Sequence, residues 1–116
     1  MSMTTTAQNV TMWAGDTIVL EFAITDSATD ADKNLSGSSI RWVMVGYTGI
    51  VVVDKSTGDG VTITNAVGGV FQVALEPADT EELPGGVYTH EAEVTDSLGN
   101  ISTVATGEIM LKASYA

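Results

Sequence analysis

Residues 68–111, GGVFQVALEPADTEELPGGVYTHEAEVTDSLGNISTVATGEIML, carry the clearest architectural signal in the chain. It runs from a strand at 70–75 through a one-turn helix to two long strands, 87–95 and 101–112. Pro77 sits at a natural first helical position, and Asp79, Glu81 and Glu82 crowd the same turn, where acidic side chains suit a helix N-terminus. Leu83-Pro84-Gly85-Gly86 ends that turn. Asp96-Ser97-Leu98-Gly99-Asn100 then joins the long strands as a closing hairpin. The phrase holds strand pattern and turn chemistry, with no arrangement of residues suited to catalysis.

Nearer the N-terminus, residues 16–25 alternate cleanly. Ile18, Leu20, Phe22 and Ile24 point one way; Thr17, Val19, Glu21 and Ala23 point the other, the period of a half-buried strand. Residues 26–38, DSATDADKNLSGS, read as a loop. A strand follows at 39–45, turns at Gly46-Tyr47-Thr48-Gly49 and returns antiparallel over 50–55. Residues 61–64 pair with 70–75, and residues 9–13 add one more strand.

The expected fold is all-β: an immunoglobulin-like β-sandwich of about seven to eight antiparallel strands with one short helical turn. Trp42 occupies the strand where such sandwiches often keep a core tryptophan, but the sequence has no cysteine to form their paired bridge. The expected core joins Ile18, Leu20, Phe22 and Ile24 to Ile40, Trp42 and Met44, then to Phe71, Val73 and Leu75, then to Tyr88, Ala92 and Val94. Each large side chain buried is worth roughly 1.5–3 kcal/mol, enough to hold a domain this size. Residues 1–14 form an N-terminal arm and first strand region, residues 15–112 the sandwich, and residues 113–116 a C-terminal tail.

Fifteen acidic residues face four basic ones, for a net charge of −11 over 116 residues. Such a chain repels phosphate, so neither nucleic acid nor an anionic membrane is expected as a partner. The start, MSMTTTAQNV, lacks the basic and apolar regions of a secretion signal. No apolar run approaches the roughly 18–20 residues of a membrane helix. Synthesis in the cytoplasm is expected, with any outside location reached as part of something larger.

The hairpin 41–54 departs from the pattern. With the turn at 46–49, Val45 faces Ile50, Met44 faces Val51, Val43 faces Val52, Trp42 faces Val53, and Arg41 meets Asp54 as an ion pair. Trp42, Met44, Val51 and Val53 fill the core face. Val43, Val45, Ile50 and Val52 make the opposite face apolar too, which the sandwich does not need. Either another part of the chain covers this face or it contacts another subunit. Together with Met12 and Trp13, these four residues form the expected subunit interface.

No residue pattern in the chain matches a complete catalytic or metal-binding motif. Asp30-x-Asp32-x-Asn34 starts like a calcium loop, but Leu35 stands where glycine is required and Arg41 where a bidentate glutamate should be. A solvated loop is the default reading, with weak Ca²⁺ binding left open. His90, the sole histidine, shares a parity with Tyr88, Ala92 and Val94 and reads as a core-edge or rim residue. Glu91 and Glu93 lie side by side on the other face, an acidic stripe and not two carboxylates across a cleft. The glycine pairs lie in hairpin turns, so there is no phosphate-binding loop. No catalytic, metal or cofactor-binding residue is assigned, no small-molecule substrate is expected, and the chain is not read as an enzyme.

Four phrases in order carry a family resemblance: Gly15-Asp16-Thr17; Asn34-Leu35-Ser36-Gly37-Ser38-Ser39-Ile40-Arg41; Glu76-Pro77 through Leu83-Pro84-Gly85-Gly86-Val87-Tyr88; and Val94-Thr95-Asp96 with Leu98-Gly99-Asn100. They resemble the immunoglobulin-like structural proteins of tailed phages and prophages, and are similar to the N-terminal domain of phage baseplate upper proteins. The resemblance implies a non-enzymatic virion protein, on the tail or capsid surface, that binds other virion proteins and associates with itself. A tail, baseplate or fibre-adaptor component is favoured. The alternatives are a head decoration (cement) protein and a host-surface glycan or receptor binding module.

Overall fold

The computed structural model describes residues 6–7, 9–26 and 31–115. The expected arm and tail therefore lie partly outside the described residues, as does Asp30 of the calcium-like loop. In chain order the elements are β1 (Thr6–Ala7), β2 (Val10–Trp13), β3 (Ile18–Ala23), β4 (Thr25–Asp26), β5 (Ala31–Asp32) and β6 (Ser39–Val45). Then come β7 (Val51–Thr57), β8 (Gly60–Asn65), β9 (Val70–Leu75), α1 (Pro77–Thr80), β10 (Gly86–Thr95) and β11 (Ile101–Lys112).

One sheet runs β1-β11-β10-β6-β7-β8-β9-β3, with β2 also on β11. The hairpins expected from turn chemistry are present: β6–β7, β8–β9 and β10–β11 all pair antiparallel. Three pairings are parallel instead. β1 and β2 both run along β11, and β7 meets β8 through only Ser56↔Gly60 and Thr57↔Val61. At that sparse junction the sheet curls over itself, and Phe22 of β3 reaches His90 of β10 with ring centroids 5.8 Å apart. The result is an immunoglobulin-like β-sandwich.

The middle of the sandwich shows how the fold is locked without cysteine. Trp42 and His90 are fully buried, and the indole N–H donates to His90 Nδ1 at 3.2 Å. Phe22 stacks on Phe71 at 4.9 Å and tilts against the His90 ring. Two residues before His90, the Tyr88 hydroxyl donates back to the Pro84 carbonyl at 2.6 Å. A tyrosine two residues before the second bridging cysteine and bonded back in this way is the tyrosine corner of antibody-type domains. His90 thus takes the second-cysteine position, and a Phe22–His90–Trp42 cluster fills the place of a disulfide packed on tryptophan. The histidine is a core residue, on the side its parity with Tyr88, Ala92 and Val94 predicts but deeper than the core-edge or rim position expected.

The expected core strands bury their alternating residues as read, although Ile18 is only half-buried. Leu35 corrects the loop reading, because it is fully buried and its N–H donates to the Ala66 carbonyl. The loop contains a short β4–β5 pairing and crosses the core edge. Met12 and Ala14 also pack inside, as do Val104, Ala105, Ile109 and Leu111 of β11. Val104 and Ala105 are adjacent yet both buried because the β10–β11 register shifts after Ala92. A bulge places two neighbouring side chains on one face.

Candidate protein contact site

The site grows from two turns that are distant in sequence, at residues 46–49 and 83–86. In the first, Gly46 N–H donates to the Ile50 carbonyl at 2.8 Å and Gly49 N–H to the Gly46 carbonyl at 2.9 Å. Past this turn the strand register differs from the simple one. Val45 faces Val51, but Met44 faces Val53, Val43 faces Asp54 and Trp42 faces Lys55, because β7 bulges at Val52. The bulge carries Val52 toward the core, where it packs against the buried cluster near Gly46 and Tyr88. Val51, expected on the core face, is 45% exposed.

The second turn follows α1. The Leu83 N–H donates to the Thr80 carbonyl at 2.9 Å, and the Tyr88–Pro84 bond pins the return into β10. Burial pushes the Tyr88 phenol pKa up, which keeps the hydroxyl a donor. Gly85 lies so close to the end of β11 that a Cβ there would sit 3.2 Å from the Ala113 nitrogen. Between the two turns opens a groove of about 450 Å³, walled by Ile50, Val52, Leu83, Pro84, Val87 and Tyr88 with Tyr47 at its margin. No charged residue lines it. It can receive apolar side chains, and the polar side-chain groups on its lining are the hydroxyls of Tyr47, Thr48 and Tyr88.

The six residues expected to form one interface fall into separate places. Ile50, 66% exposed, and Val52 line the groove. Val43 lies on the other face of the sheet in a shallow cleft with Arg41, Glu91 and Glu93, a charged setting that breaks the expected apolar patch. Val45 is half-buried, paired with Thr89 and Val51. Met12 is 4% exposed and belongs to the core, so it has no surface to offer a partner. Trp13 is half-exposed, with the Lys112 ammonium 5.3 Å from its ring centroid. The sequence reading missed Leu83, Pro84, Val87 and Tyr88. Their signal was present: a turn that carries Leu, Pro and Val displays apolar side chains where turns are usually polar.

All four cations are engaged. Arg41 makes a bidentate pair with Asp54 at 3.1 and 2.8 Å, across the diagonal that the register shift leaves between them. The guanidinium holds the Asp54 carboxyl below its usual range. Lys55 reaches Asp79 at 2.9 Å, and Lys112 lies over Trp13. Lys33 is buried, and its charge helps to lower the Asp96 carboxyl. The calcium-like loop turns inward: Asn34 Oδ1 accepts the Ser36 N–H at 2.9 Å while Leu35 fills the core. Among the described residues no group of three or more His, Cys, Asp or Glu is placed to hold a metal, and no helix is long and apolar enough to cross a membrane.

No protein-family profile and no curated protein matches the chain significantly. Among solved structures it is similar to the SrpA adhesin from Streptococcus sanguinis, at 18% identity and a TM-score of 0.51, over 97% of this chain and 58% of that one. Looser likenesses are CopC from Methylosinus trichosporium OB3b, at 17% identity and TM-score 0.49 over 97% and 89% of the two chains, and the fibronectin(III)-like modules of Clostridium thermocellum CbhA, at 13% and 0.47 over 97% and 96%. At such identities the likeness is one of fold.

Proposed function

We propose that this chain is a non-enzymatic structural subunit of a tailed-phage particle, a rigid sandwich that docks neighbouring virion proteins through the groove between residues 46–52 and 83–88. The observation that carries the reading is the groove itself: preformed, free of charged residues, and anchored by the tyrosine corner to β10. Contact sites between proteins centre on such apolar pockets, with charge kept to their margins. The four sequence phrases supply the phage context. A tail, baseplate or fibre-adaptor position is favoured, and a capsid decoration protein is the alternative. A glycan-binding module would call for an open platform of several aromatic rings, whereas of the exposed rings Trp13, Tyr47 and Tyr115 only Tyr47 borders the groove.

Quantitative mass spectrometry of purified virions tests this reading. A tail adaptor is expected at about a dozen copies per particle and a decoration protein at hundreds, following the symmetry of tail and capsid. Absence of the chain from intact particles would defeat both.

A further inference from the structure

The groove does not end at Leu83. That side chain also walls a second, polar cleft of about 370 Å³, whose other sides include Asp16, Glu81 and Ala113. Gly85, in the groove, lies beside Ala113, in the cleft, where a Cβ added to Gly85 would sit 3.2 Å from the Ala113 nitrogen, so the two hollows adjoin. The cleft is held in shape: Gly15 N–H donates to Thr80 Oγ1 at 2.8 Å, and Thr80 is 1% exposed. An apolar hollow therefore lies one residue from a margin carrying two exposed carboxylates and no cation.

From this juxtaposition, and resting on the assembly reading, we infer that the occupant is an extended segment of a different polypeptide, in which a large apolar side chain is followed directly by lysine or arginine. The apolar residue fills the groove between Ile50 and Tyr88, and the cation lies against Asp16 and Glu81. Charge excludes a second copy. Each copy carries −11, and its four cations are all engaged within their own chain. Apposing two such margins adds repulsion with no counter-charge to relieve it. The groove's volume suits about one or two large side chains, at the small end of the range for binding pockets.

The test uses the full chain, ¹⁵N-labelled, titrated with the peptides Ac-GSLKKSG-NH₂ and Ac-GSLEESG-NH₂. The basic peptide should shift the amides of Asp16, Glu81, Leu83 and Val87 and bind at least about tenfold more tightly than the acidic one, with the difference shrinking as salt is raised. Ile50→Glu should abolish binding of both peptides. Asp16→Lys with Glu81→Lys should invert the preference. All three side chains are exposed, so an unchanged spectrum elsewhere checks that the variants fold. Equal binding of the two peptides, no binding at all, or sedimentation showing a dimer abolished by Ile50→Glu would each overturn the inference. The outcome is separable from virion proteomics. Charge-selective binding by a chain absent from particles keeps the site and removes the phage reading, and the converse removes the site alone.

Discussion

Trp42 and His90 meet in the dry centre of the sandwich, and the hydrogen bond between them satisfies the only polar atom of the indole. His90→Leu keeps volume roughly constant but leaves that N–H without its acceptor, a loss of about 1–3 kcal/mol. Trp42→Phe in the same background removes the orphaned donor and should recover part of it. Urea unfolding of the single and double variants measures both, and a His90→Leu midpoint equal to wild type would show that the bond contributes nothing. Gly69 is constrained differently. At φ +73 it lies where an added Cβ would come within 2.6 Å of the Ile24 carbonyl oxygen and 2.7 Å of that of Lys33. Here three chain segments are stitched by Ile24 N–H to Gly69 O and Lys33 N–H to Ile24 O, both 2.9 Å. Gly49, at φ +85, has nothing within 4 Å of the same probe position. Gly49→Ala should therefore cost only the left-handed strain, about 1–3 kcal/mol, and Gly69→Ala clearly more, because backbone atoms must move as well. Equal midpoint shifts for the two variants would contradict this.

At the scale of elements, the legible parts were those written in turn chemistry. Asp96 shows why: its Oδ1 accepts the N–H groups of Leu98 and Asn100, both at 2.9 Å, and so closes the β10–β11 hairpin with one side chain. The Asn100 backbone N–H, helped by the Asn100 side chain, the Leu98 N–H and the Lys33 charge, holds the Asp96 carboxyl below its usual range. A carboxyl depressed on folding contributes stability above its unfolded value of about 3.9, and that contribution is lost as pH falls through the lower folded value. Wild type should exceed Asp96→Asn in Tm at pH 6, and the gap should close toward pH 2.5. A gap that stays constant across that range would rule out a charge-dependent contribution. The bulges were not legible. Three consecutive valines at 51–53 satisfy the alternation in either register, so hydrophobic pattern alone cannot say which of them turns inward. Leu35 was hidden for a related reason: a single apolar residue among Asp, Asn, Ser and Gly has no period to announce it, although the loop sends it into the core.

For the molecule as a whole, the fold followed from patterns local to each strand, whereas the groove is a product of assembly. Ile50 and Val52 meet Leu83 and Val87 only because the bulge re-aims β7 and Tyr88 draws its loop back onto β10, neither of which strand alternation encodes. Charge, by contrast, was readable from composition and acts on the entire body, which measures 46 × 23 × 21 Å. Fifteen acidic side chains on so small a body repel one another, and unfolding moves them apart, so the folded state carries the larger electrostatic penalty. Opposing this are the exposed Arg41–Asp54 pair and the more enclosed Lys55–Asp79 pair. Salt screens repulsion between exposed carboxylates and weakens the exposed pair, but surface pairs contribute little to begin with. Repulsion is thus the larger quantity removed, and Tm at pH 7 should rise by a few °C, on the order of 1 kcal/mol for a domain this size, between 20 and 500 mM NaCl. Potassium chloride should act like sodium chloride, because the effect comes from ionic strength and not from a bound ion. A Tm that falls with either salt would mean that specific ion pairs, and not net charge, dominate the electrostatics of the fold.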